Sequence, residues 1–151
     1  MSVTTALYLT PLVPALGALL VVLTGDRPNL RETMTLVAAG TLFLLVLSLL
    51  GAATVGAPPR AVLAEPVPGL ALALSVEPLG LLFALVASFL WVVTSVYAIG
   101  YMRGHHEENQ TRFYACFALA LSGAMGVAFA DNMLTLFVFY EFLTLSTYPL
   151  V

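Results

Sequence analysis

Glu141 is the only charged side chain in the run NMLTLFVFYEFLTLSTYPLV, residues 132–151. Counted from Asn132 it lies roughly 14 Å along a helix rising 1.5 Å per residue, near the middle of a hydrocarbon layer about 30 Å thick. An ionised side chain at that depth costs at least about 2.5 kcal/mol on insertion scales. Such a carboxyl is therefore either neutral or paired with a cation, and a group held between those two states suits a proton relay. Thr144 and Tyr148 follow at i+3 and i+7, on the same helical face, and are candidate associates in a proton path. Pro149 has no N–H to donate, which leaves the carbonyl of Leu145 open to water. The competing reading is a Glu141 that stays neutral and hydrogen-bonds a neighbouring helix.

Other chemistry-bearing residues are few. His105-His106-Glu107-Glu108 is a local cluster of metal-capable side chains, but neighbours on a helix point about 100° apart and a loop loses entropy to converge them. It reads as a solvated turn, and no metal site is expected. Cys116 is the single cysteine and lies in an apolar run, where packing explains it. No phosphate-binding glycine loop, nucleophile elbow or HExxH pattern occurs, so no cofactor is expected. Glu77-Pro78 reads as a helix start, with an acid beside the positive end of the dipole.

The elements that must position Glu141 follow from composition. Of 151 residues, 61% are hydrophobic and 9% charged, with a mean hydropathy of +1.03. Soluble domains carry about 25% charged residues; this chain cannot cover a water-facing surface, so lipid is its solvent. Five apolar runs are long enough to cross: about 6–24, 32–54, 78–100, 113–130 and 132–151. Asp131-Asn132 is the turn of a helical hairpin. No basic residue precedes the first run, which reads as a retained span rather than a signal peptide. Pro11 and Pro14 fall in its early turns. The fold expected is all-α, a polytopic membrane protein of five transmembrane helices. Pro58, Pro59, Pro66 and Pro68 disfavour helix in the 2–3 connection, about 55–77, and the alternation of LALALSV suits a short extended segment or hairpin there.

All five basic residues are arginines. With the N-terminus outside, Arg27, Arg31, Arg103 and Arg112 fall in inner loops and only Arg60 outside, as the positive-inside rule favours. With every arginine in a loop, no cation of this chain reaches Glu141, and its partner is expected from other sequence. In the fourth span Ala120, Ala124 and Ala128, and Ser122, Gly126 and Ala130, form small-xxx-small rows suited to close helix packing. The small net charge of −3 gives no reason to expect nucleic acid.

The run YAIGYMRGHHEENQTRFYACFALALSGAMGVAFADNMLTLFVFYEFLTLSTYPLV resembles the antiporter-like proton-translocating subunits of complex I, membrane-bound hydrogenases and Mrp cation/proton antiporters. Gly100-Tyr101-Met102, Arg112-Phe113-Tyr114, Asn132 followed by Tyr140-Glu141, and SVEPLGLLF carry the likeness over about residues 75–151. The resemblance implies a module of about fourteen helices with inverted repeats beginning at the fourth. Residues 1–111 would then hold three leading helices, and 112–151 the first two helices of an incomplete repeat. It implies that Glu141 is a proton-pathway residue paired with a lysine on a later helix, which this chain lacks. Tyr140 stands where a Trp is frequent, and Pro149 is a second departure. The fifth span is most similar to the D-type branch of the Mrp antiporter family. The implied function is that of a membrane subunit of a monovalent cation/proton antiporter in the cell (inner) membrane, a transporter subunit rather than an enzyme. Its partners would be other membrane subunits, including one that supplies the cation for Glu141, with protons and Na⁺ as cargo. A proton-pumping subunit of a complex I-like or hydrogenase-like redox complex is the alternative, and a non-conducting scaffold the second.

Overall fold

A computed structural model describes residues 2–54, 59–106 and 108–150. Five helices, α1 (Val3–Leu23), α2 (Pro28–Ser48), α3 (Pro78–His105), α4 (Gln110–Ala128) and α5 (Met133–Thr147), carry most of the chain. Each is long and apolar enough to cross a membrane, α5 when its run is counted to Leu150. An antiparallel hairpin of β1 (Arg60–Val67) and β2 (Leu70–Ser75) joins α2 to α3. Single 3₁₀ turns follow α2 (Leu50–Thr54) and α5 (Tyr148–Leu150). The expected spans are therefore all present, with shifted ends. The second starts at Pro28 rather than Glu32 and leaves α-helical geometry at Ser48, and the third runs on to His105.

The helix ends follow from local chemistry. Ser2 accepts from the Thr5 N–H at 3.2 Å to cap α1, and Asn132 accepts from the Thr135 N–H at 2.9 Å to cap α5. Pro28 and Pro78 open α2 and α3 at positions where the missing N–H is not needed. Glu77 does occupy the N-cap of α3, but its side chain makes no capping hydrogen bond; its contribution is charge near the dipole. Inside α1, Pro11 cannot donate to the Leu7 carbonyl, and the buried Thr10 hydroxyl donates to it instead at 2.8 Å.

α1 packs between α2 and α4, α3 against α2 and α4, and α5 against α4. The core between them holds Leu7, Leu42, Leu49, Trp91, Met125 and Phe129, all essentially inaccessible. The small residues of α4 permit this closeness. The Ser122 hydroxyl donates to the Pro11 carbonyl of α1 at 2.6 Å, and a Cβ on Gly126 would stand 2.1 Å from the Phe139 ring of α5. Gly80, in the first turn of α3, has the Ala128 carbonyl oxygen 2.1 Å from where a Cβ would be.

The hairpin clamps the joint between α4 and α5. Ser75 N–H donates to the Phe129 carbonyl at 2.7 Å, Asp131 N–H to Ala73 at 3.0 Å, and Asn132 Nδ2 to Ala71 at 2.5 Å. Arg60 pairs with Asp131 at 2.6 Å, and the Tyr8 hydroxyl of α1 donates to Val62 at 2.5 Å. Gly69, at φ +86°, makes the turn, and Pro66 sits where the pairing slips between Ala64 and Val67.

Candidate functional site

Glu141 lies in the middle of α5 on the side away from α4. Phe139 and Leu143 of α5 pack against Gly126 and Gly123 of α4, and Thr135 accepts from the Ala73 N–H of the hairpin at 2.9 Å; the opposite row, at intervals of four, is Met133, Phe137, Glu141 and Leu145, all exposed. Among the described residues Glu141 makes no hydrogen bond or ion pair. The carboxylate thus stands on an open apolar helix face, in a span only 11% of which is buried within this chain.

The two associates take different positions. Thr144 shares the open side with Glu141, but its hydroxyl donates to the Tyr140 carbonyl of its own helix at 3.0 Å. Tyr148 lies past the last α-helical turn, in the 3₁₀ turn, and is 82% exposed. Near it, the Pro149 carbonyl accepts from Arg112 Nη2 at 2.6 Å, tying the end of α5 to the start of α4.

A second carboxylate, Glu32, was not singled out by sequence reasoning. It is 4% exposed in the second turn of α2 and is ion-paired with Arg103, which also donates to Asn29 Oδ1 at 2.6 Å. Arg31, 5% exposed, stands 3.9 Å from Glu32 and donates to Thr111 Oγ1 at 3.1 Å and Gln110 Oε1 at 2.9 Å. Its guanidinium lies 5.4 Å from the centre of the Tyr114 ring. These contacts fasten α2 to α3 and to α4. The hydrogen-bonded partners on different helices lie 71 to 80 positions apart, and no spacing rule could have joined them.

The expectation that every arginine lies in a loop is corrected here. Arg31, Arg103 and Arg112 occupy terminal turns of α2, α3 and α4. The long stem of an arginine lets a helix run past its apolar stretch while the charge finds polar partners near the end. Their grouping stands: Arg27, Arg31, Arg103 and Arg112 gather at one end of the bundle, and Arg60 at the other beside Asp131. Of the histidine cluster, His105 stacks on Tyr101 at 4.3 Å and its Nδ1–H donates to the Tyr101 carbonyl at 3.0 Å. His106 takes the left-handed C-cap, and Glu107 lies outside the described residues.

Five membrane-length helices define a polytopic membrane protein. Comparison with known proteins places it more narrowly. The N-terminal family of NADH-ubiquinone oxidoreductase (complex I) chain 5 matches residues 69–114. A Na⁺/H⁺ antiporter subunit A1 from Staphylococcus aureus is 37% identical over 79 residues, 52% of this chain and 10% of its own length. NADH-quinone oxidoreductase subunit N from Desulforudis audaxviator is 38% identical over 79 residues, 52% of this chain and 16% of its own. The membrane-bound sulfane sulfur reductase, an archaeal respiratory complex, contains a chain of the same fold; the TM-score is 0.77 at 21% identity, over 93% of this chain and 22% of that one. The chain is thus similar over about half its length to Mrp- and complex I-like membrane subunits, and it spans about a sixth or less of the curated relatives it matches. Those relatives are of the A and N types, and they lend no support to the D-type branch in particular.

Proposed function

We propose that this chain is part of a cation/proton antiporter subunit of the cell (inner) membrane, in which Glu141 carries protons near mid-membrane. The observation that carries this reading is the position of Glu141. It is a carboxylate halfway along a membrane-length helix, on a face that no other helix among the described residues covers. A lipid-facing charge is costly, so that face calls for another protein surface bearing a cation or a water-filled path. In such a setting the carboxyl gains or loses its proton as the partner cation approaches or withdraws. Thr144 lies one turn away, placed to contact water on the same side. On this reading the N-terminus and the hairpin face outward and the four-arginine end faces inward. Residues 112–151 then open a repeat whose other helices lie in further sequence. Na⁺ exchange is a property of the assembled complex, and its other membrane subunits include the one that supplies the cation.

The likeness to a quinone oxidoreductase subunit and to a respiratory sulfur-reducing complex favours a second reading, in which the same Glu141 chemistry serves a redox-driven proton pump. One experiment tests the shared core. In the assembled complex in sealed vesicles, Glu141→Gln keeps shape and removes the titrating group. Proton flux is expected to fall by about tenfold or more, with Glu141→Asp retaining part of it. Undiminished flux in the glutamine variant leaves a scaffold role. Dependence of residual flux on Na⁺, or on an electron donor, separates antiport from redox pumping.

A further inference from the structure

At the arginine end of the bundle an open groove of roughly 820 Å³ lies between the end of α1, the start of α2 and the first turns of α4. Its rim is polar, formed by Arg31, Thr111 and Arg112, and its floor is apolar, formed by Val22, Ala115, Cys116 and Leu119. Among the described residues no carboxylate lines it; Glu32 is engaged by Arg103 and stands 3.9 Å from Arg31, while Asp26 and Glu108 are exposed on the flanking loops.

We propose that this groove binds an anionic phospholipid, with the phosphate at Arg31 and Arg112 and the first part of an acyl chain along Val22, Ala115 and Leu119. Three observations support that occupant. The polar rim lies at the ends of membrane-length helices, while Ala115, Cys116 and Leu119 lie further along α4, the same order as headgroup and chain in a leaflet. Arg31 and Arg112 both line the groove, so two guanidinium charges meet at its rim, and a phosphate supplies the anionic acceptor that such groups pair with. The N-terminus of α4 adds its dipole, since the Asn109 side chain makes no cap there. Basic recesses between helices are the usual sites for anionic headgroups.

The single cysteine supplies the readout, because Cys116 lines the floor and is partly accessible. The complex containing the full chain is placed in nanodiscs of phosphatidylcholine, and Cys116 labelling by a small maleimide is followed as phosphatidylglycerol is added. Phosphatidylglycerol is expected to slow labelling saturably. Arg112→Gln, at an exposed position, is expected to raise the lipid fraction needed by about fivefold. Leu119→Trp, which fills the floor, is expected to abolish the lipid dependence while leaving assembly intact. Equal protection by phosphatidylcholine alone overturns the proposal, as does equal protection by glycerol phosphate in solution. So does a Cys116 shielded in every lipid, since a polypeptide segment would then fill the groove.

Discussion

Glu141 and Glu32 meet the problem of a carboxylate in an apolar protein in opposite ways. Glu32 is enclosed and held by Arg103 and, more distantly, Arg31. Glu141 is unpartnered among the described residues and faces outward. The first arrangement is fixed and structural, and the second is open to a moving partner. Removing one member of a buried pair strands the other charge, and the cost falls on whichever partner is buried. Arg103 is half exposed at its side chain while Glu32 is not. Arg103→Gln is therefore expected to lower the thermal midpoint of the detergent-solubilised protein more than Glu32→Gln. The double variant should recover part of that loss. An Arg103→Gln variant with the midpoint of the parent would show that Arg31 alone satisfies Glu32. Glu141→Gln, by contrast, is expected to leave the midpoint unchanged or raised while proton flux falls. That split distinguishes a translocating carboxyl from a packing one. The mid-span position of Glu141 was legible because hydropathy makes a lone charge conspicuous. Glu32 was not, because it lies beside the edge of an apolar run, where charges are ordinary.

At the scale of elements, close approach depends on residues without side chains. A methyl at Gly126 would enter the Phe139 ring, an end that can turn away; a methyl at Gly80 would meet the Ala128 carbonyl, which is backbone. Overpacking of this kind costs about 1–3 kcal/mol. Gly126→Ala is expected to destabilise within that range and to be relieved by Phe139→Leu. Gly80→Ala should be the more damaging, with no relief from any side-chain change nearby. Loss of assembled protein in membranes and the thermal midpoint check both. The small-residue rows of α4 announced tight packing from sequence alone, yet gave no partner. Ser122 turned out to face α1 and Gly126 to face α5, so two neighbours of α4 share one row. Alternation in LALALSV likewise foretold an extended segment. Its role as a clamp was hidden, because backbone pairing with Phe129 and Asp131 leaves no trace in side-chain pattern.

Across the whole molecule, charge divides the two ends. Arg27, Arg31, Arg103 and Arg112 lie at one, and Arg60, the hairpin and the joint between α4 and α5 lie at the other. With Cys116→Ser as background, Glu65→Cys in the hairpin is expected to react with a membrane-impermeant maleimide in intact cells. Asp26→Cys, in the turn between α1 and α2, should react only after lysis; the reverse pattern would invert the proposed orientation. The sequence by itself determined the solvent, the number of spans, the grouping of the arginines and the place of Glu141 along its helix. Those properties depend on composition and on the fixed rise of a helix, which are local. Only the tertiary structure decided which face of α5 is covered, that Glu141 lies on the uncovered one, and that Glu32 meets an arginine 71 positions away. Helices in lipid are apolar on every side, so no amphipathic stripe marks their neighbours; packing and backbone hydrogen bonds choose them.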